Sequence, residues 1–212
     1  MFSKRLIEIA SLVPVHSTVV DIGCDHGLLD IYLTVHRNCK CTASDINDNC
    51  LKNAAMNIKK YSLTDKIKVV KSDGLENVKY NKTDYIIIAG MGTNTILNIL
   101  DNNDLENVIV QTNTDLFEFR EKITDNYIIE DEIAIKEKGI YYVIMKLKKG
   151  VKNYKYEDYI VGPIIKTKND YKEYMNFLLS KYTDIYESIP SSNINKKLEY
   201  RLIVKIIKKH CD

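Results

Sequence analysis

Apolar residues recur at helical spacing from about Phe2 to Val13, at Leu6, Ile7, Ile9, Ala10 and Val13, and Pro14 closes that segment. The short β-branched run Thr18-Val19-Val20-Asp21-Ile22 follows and ends at Gly23, as a buried strand does. Helical stretches and short apolar runs then alternate. Helices are predicted over about Leu28–Val35, Asp48–Tyr61, Thr95–Leu100 and Leu116–Asn126. Strands are predicted near Cys39–Ser44, Ile67–Lys71, Tyr85–Ala89 and Val108–Gln111. Such alternation implies parallel βαβ units in an α/β, doubly wound sheet. Strands apolar throughout fit a sheet covered on both faces.

The pattern changes after Asn126. Tyr127–Ile135 and Ile140–Leu147 are β-rich runs around Lys136-Glu137-Lys138-Gly139, a hairpin signature, so the sheet is expected to finish with an antiparallel pair. A Lys- and Tyr-rich connection follows Gly150. Beyond it Tyr171, Met175, Leu178, Tyr182, Ile185 and Ile189 step by 4, 3, 4, 3 and 4 residues, a heptad seam. Pro190–Asn193 reads as a turn with an N-cap, and Ile194, Leu198, Leu202 and Ile206 as the answering stripe. The expectation is a catalytic-type α/β domain over residues 1–150 and a helical coiled-coil hairpin over 151–212.

Composition narrows the class. With 45% hydrophobic residues among 212, the chain can build a core. No segment approaches the roughly 18–20 consecutive apolar residues of a membrane span, and the N-terminus lacks a signal-peptide core, so a cytosolic location is expected. Five cysteines (Cys24, Cys39, Cys41, Cys50, Cys211) lack framework spacing, and His36, Cys39 and Cys41 make a poor zinc set; buried thiols and no metal are expected. The net charge of +2 hides an asymmetry: residues 146–212 carry +7 and the rest −5. Lys196, Lys197, Arg201, Lys205, Lys208 and Lys209 crowd the last helix, as in a basic arm for a polyanion, though a solvated helix surface would look the same.

Candidate chemistry lies at strand ends. After the first strand stands Asp21-Ile22-Gly23-Cys24-Asp25-His26-Gly27, a glycine-bearing turn into a helix. Dinucleotide sites use G-x-G-x-x-G there to admit a pyrophosphate. Carboxylates at Asp21 and Asp25 repel diphosphate but suit a ligand bearing an ammonium and a sulfonium, as S-adenosylmethionine does. Asp45 closes strand two, 24 residues after Asp21, where a carboxylate can accept from ribose hydroxyls. Asp73-Gly74 follows strand three and can meet an adenine amino group, or simply form a turn. Ala89-Gly90-Met91-Gly92-Thr93 follows strand four, at the crevice edge where substrates sit.

The D-I-G-x-D-H turn, the D-G-L after strand three, I-A-G-M-G after strand four and Gln111-Thr112-Asn113 after strand five together resemble the bacterial TrmK family. Its members methylate ring nitrogen N-1 of adenine 22 in tRNA. The likeness runs from about Ser3 to Leu147, and the helical hairpin extends it to the C-terminus. It departs at Thr112, where the family pattern reads Q-P-N, and at Thr93, where it reads G-M-G-G.

The resemblance implies a Rossmann-like catalytic domain and a tRNA-gripping C-terminal coiled coil. S-adenosylmethionine would be the cofactor, held by Asp21, Gly23, Asp25 and His26 at its methionine moiety and by Asp45 and Ile46 at the ribose. Asp73 and Gly74 would meet its adenine, beside Ala89 and Gly90. Gly90, Met91 and Gly92 would border the target base. From position at strand ends alone, Asp25 is the candidate carboxylate for the charge that forms on the base, and the Gly90 carbonyl or Asn113 the group that holds its amino group; with Met91 these are the candidate catalytic residues. The expected partner is tRNA, with no membrane, no protein partner and a monomeric state. Three other classes stay open on the residues alone: a methyltransferase for protein or small molecules, an NAD-dependent oxidoreductase, and a non-catalytic RNA-binding protein.

Overall fold

A computed structural model describes residues 2–168 and 171–211. Ser3 caps the first helix, α1 (Lys4–Ser11), by accepting from Leu6 N. Five strands, β1 (Thr18–Ile22), β2 (Lys40–Asp45), β3 (Ile67–Lys71), β4 (Tyr85–Met91) and β5 (Asn107–Thr112), run parallel. Between them lie α2 (Leu28–Arg37), α3 (Asp48–Lys60) and α4 (Thr93–Asp101), and α5 (Leu116–Ile123) follows β5. The hairpin β6 (Tyr127–Glu137) and β7 (Ile140–Lys149) turns on Lys138 and Gly139, both at positive φ, as a tight two-residue connection requires.

The sheet order is β3-β2-β1-β4-β5-β7-β6, with β7 antiparallel to both neighbours. Strand order reverses between β1 and β4, and the crevice beyond the carboxyl ends at such a switch point is where ligands bind in open α/β sheets. Side-chain alternation feeds two cores. Val20, Ile22, Ile86, Ile88, Val108 and Val110 pack on one face, and Val19, Ile87 and Ile109 on the other. Each fully buried Ile or Val contributes on the order of 1.5–3 kcal/mol, so these strands are pinned in register.

Every expected strand and helix of the first 150 residues is present, with ends shifted by up to about three residues. The stretch read as a connection after Gly150 instead holds a short helix, α6 (Tyr156–Val161), and a 3-10 turn (Ile165–Thr167). Six residues are too few to carry a helical period. Two helices complete the chain, α7 (Tyr171–Ser188) and α8 (Ile194–Lys208), with Asn193 capping α8.

The expected seam between them is corrected by burial. Met175 and Leu178 of α7 and Ile189 just past its end are buried. On α8, Ile194, Leu198 and Leu202 stay 65%, 57% and 47% exposed, while Ile203, Ile206 and Ile207 are buried. The helix is rotated because α8 packs into an apolar cluster shared with the sheet, α6 and α7, which covers more than one seam.

Candidate active site

The β1–α2 turn folds back on the end of β2. Gly23 N and Cys24 N both donate to Ser44 O, at 2.8 and 2.9 Å. Gly23 has φ +76, a conformation that favours glycine, and the Met91 methyl packs against it where a Cβ would stand, at 2.6 Å. Asp25 N donates to Asp45 Oδ2 at 3.2 Å, and Asn47 N to Asp45 Oδ1 at 2.8 Å. A carboxylate has about four acceptor positions, so Asp45 keeps capacity for hydroxyl donors. Asp25 itself lies at positive φ with its side chain exposed, 3.5 Å from His26 Nε2 and 3.6 Å from Cys50 Sγ.

Asp21 differs from Asp25 in kind. It is buried on β1 and faces Asp30 of α2, which has no exposed surface. Burial first, and then the Asp45 charge, push the Asp21 carboxyl up to about 7, against the hydrogen bond from Asp30; burial and Asp21 push Asp30 up as well. Two carboxyls buried side by side cannot both ionise cheaply, so burial keeps protons on the pair well above the ordinary carboxylate range. The pair lies buried beneath an exposed, acidic turn.

At β4 the strand ladder slips between Ala89 and Met91, leaving Gly90 out of register at φ +82. Its carbonyl, freed from the ladder, accepts from Asn113 Nδ2 at 2.7 Å, while Asn113 N donates to Met91 O at 2.9 Å. Behind them Gln111 Nε2 donates to Asn113 Oδ1 at 3.0 Å, and Arg5 Nη1 to Gln111 Oε1 at 3.1 Å. A relay from α1 therefore fixes the amide that faces the crevice. Arg5 and Asp30 escaped the sequence reading, and Gln111 was read only as part of the strand-five motif, because single polar residues in a helix or strand announce no partner.

The two family departures meet each other. Thr93 Oγ1 and Thr112 Oγ1 are 2.9 Å apart, Thr93 Oγ1 donates to Thr114 O, and Thr93 N donates to Thr114 Oγ1. Side-chain hydrogen bonds hold here a loop that the family pattern would build from proline and glycine.

Asp21, Gly23, Asp25, His26, Asp45, Ile46, Ala89, Gly90, Met91 and Asn113 thus gather at one carboxyl edge of the sheet. Asp73 and Gly74 follow β3 on the same edge and line a separate cleft of about 270 Å³ against α4. Lys196, Arg201, Lys205, Lys208 and Lys209 are exposed along α8 and just past its end. Lys197 is half-buried, its Nζ donating to Ile189 O and lying over the Tyr186 ring. Among the described residues, no helix is long and apolar enough to cross a membrane, and no group of three or more His, Cys, Asp or Glu could hold a metal. Cys24, Cys39 and Cys41 are buried free thiols.

A methyltransferase-domain family model matches residues 2–145. The chain is 30% identical over 207 residues to the tRNA (adenine(22)-N(1))-methyltransferase of Bacillus subtilis, covering 88% of this chain and 85% of that protein. M. capricolum TrmK, solved with S-adenosyl-homocysteine, superposes with a TM-score of 0.85 at 32% identity, covering 100% of this chain and 98% of that one. A Streptococcus agalactiae protein of the NADB-Rossmann superfamily superposes at 0.89 and 27% identity, covering 100% and 98%. The chain belongs to the methyltransferase-domain family and, within it, to the tRNA (adenine(22)-N(1))-methyltransferases.

Proposed function

We propose that this chain transfers a methyl group from S-adenosylmethionine to ring nitrogen N-1 of adenine 22 in tRNA. The observation that carries the reading is the joined edge: an acidic turn bonded to the ribose-type carboxylate of Asp45, with the Gly90–Asn113 pair across the crevice. The cofactor supplies an electrophilic sulfonium methyl. The exposed Asp25 carboxylate and the buried Asp21 suit its cationic methionine end, with Gly23 and His26 beside it. Asp45 and Ile46 suit the ribose, Asp73, Gly74 and Ala89 the adenine.

Adenine N-1 already bears a lone pair, so no strong base is required. The task of the protein is to hold nitrogen and methyl in line, about 3–3.5 Å apart. Gly90 O and the Asn113 amide are the groups in our reading that engage the adenine amino group. Met91 packs over Gly23 and limits the room between the two ligands. Asp25 stabilises the positive charge that moves onto the base. Residues 1–150 form the catalytic unit, and 151–212 the tRNA-binding unit through Lys196, Lys197, Arg201, Lys205, Lys208 and Lys209. The working form is a cytosolic monomer.

The test is incubation with labelled methyl donor and unmodified total tRNA, followed by nucleoside analysis. N-1-methyladenosine at position 22 is the expected product. Label on another nucleoside, or a chain that binds NAD in preference to S-adenosylhomocysteine, overturns the reading.

A further inference from the structure

A groove of about 570 Å³ opens beside the candidate active site, between the end of β5, the tip of the β6–β7 hairpin and the helices α7 and α8. Its size falls within the roughly 300–1,000 Å³ of ligand pockets. Six aromatic residues stand among its lining. Tyr141 of the hairpin and Phe177 of α7 have centroids 4.5 Å apart, inclined at 32°, and Tyr182 and Tyr200 lie 6.1 Å apart across α7 and α8. Tyr141 is fixed by donating its hydroxyl to Glu173 Oε1 at 2.8 Å. Phe177 is 37% exposed, so part of its ring is open to solvent, as is the neighbouring Ile140 of the hairpin.

The chemistry of the lining selects among occupants. Among the described lining residues, Glu118 is paired with Lys122 and Arg120 with Glu132, which leaves Asp115 and Glu199 against Lys181; free phosphate is therefore disfavoured. An acyl chain would strand those carboxylates without donors. A flat, neutral heterocycle bearing N–H groups satisfies both rings and carboxylates. The groove is also continuous with the candidate site, because Asn113, bonded to Gly90 O, lines it as well.

We infer that this groove is a stacking subsite for an unpaired nucleobase of the RNA substrate, one next in the chain to the base being methylated. This rests on the reading above. A base delivered to the pocket must leave its stack, and a neighbour freed with it would regain stacking on Phe177 and Tyr141.

The experiment places 2-aminopurine at the nucleotide on either side of the target in a tRNA transcript and follows its fluorescence as the full-length protein is added. Quenching of one of the two probes is expected with the wild type. In Phe177→Ala combined with Tyr141→Ala, the quench is lost and the KM for tRNA rises by about tenfold, in keeping with stacking on an aromatic ring. S-adenosylhomocysteine affinity and the far-ultraviolet circular-dichroism spectrum, measured on the same samples below the melt, stay at wild-type values, which shows the double variant folded. Unquenched probes with wild type, or unchanged KM and quench in the double variant, overturn the subsite while leaving the methylation reading intact. A wild type that methylates no tRNA overturns both.

Discussion

At the scale of residues, the most informative groups are those whose partners lie far away in sequence. Burial raises the carboxyls of both Asp21 and Asp30, and the pair gives folding stability a predictable pH dependence. In the unfolded chain Asp21 ionises near its ordinary 3.8, in the fold at about 7. Between those values the folded state keeps a proton that the unfolded state has lost, so stability falls as pH rises through this window. For one proton the slope is about 1.4 kcal/mol per pH unit. Asp30→Asn keeps a donor toward Asp21 but removes one titrating group, and urea titrations from pH 4 to 8 should give it a shallower decline. Parallel profiles for the two proteins would dissolve the pair. Thr93 and Thr112 permit a second test. Thr93→Val or Thr112→Val alone orphans buried hydroxyl or backbone partners and should cost about 1–3 kcal/mol. The double variant should cost less than the sum, because both remove the same 2.9 Å bond. Strict additivity in denaturant melts would show that the contact between the two hydroxyls contributes nothing.

Among elements, the decisive contact is one that no periodicity announces. Arg120 of α5 and Glu132 of β6 form a fully buried ion pair at 2.9 Å. Arg120 Nη1 donates to Tyr159 O and Ile160 O of α6, and Glu132 Oε2 accepts from Ile164 N. Gly162 sits against both at φ +90, where a Cβ would lie 2.8 Å from Arg120 Nη2 and from Glu132 Oε2. This knot fastens the segment after Gly150 to the sheet, and so aims α7 and α8 at the active-site edge. Removing one member leaves an uncompensated buried charge. Arg120→Ala is expected to lose about 3–5 kcal/mol of stability, whereas a double change to apolar residues of similar volume should recover most of it. Loss of less than about 1 kcal/mol in the single variant would show that the buried charge finds other compensation.

For the whole molecule, charge is partitioned along the chain. Exposed Arg201, Lys205 and Lys208 project from α8, while half-buried Lys197 is spent within the hairpin. Reversing Arg201, Lys205 and Lys208 together to Glu should weaken tRNA binding strongly and flatten its salt dependence, because fewer counterions are released. S-adenosylhomocysteine affinity should not move, since none of the three residues lies at the sheet edge. Titrations at several salt concentrations check both, and an unchanged log–log slope would remove α8 from the RNA contact.

The alternation of short apolar runs with helical stretches determined an α/β sheet by itself, because strands buried on both faces and amphipathic helices leave different periods in the chain. The acidic glycine turn at Asp21–Gly27, the strand-end Asp45 and the Gly90-Met91 segment were legible for a related reason. Each follows directly on a strand, so local order already places it at the carboxyl edge. Only the tertiary structure decided which face of α8 is buried, since Ile194, Leu198 and Leu202 satisfy a heptad as well as Ile203 and Ile207 satisfy a core. It alone joined Asp30 to Asp21, Thr93 to Thr112 and Arg120 to Glu132. Polar partners are chosen by proximity after folding, and proximity between distant segments has no period to read.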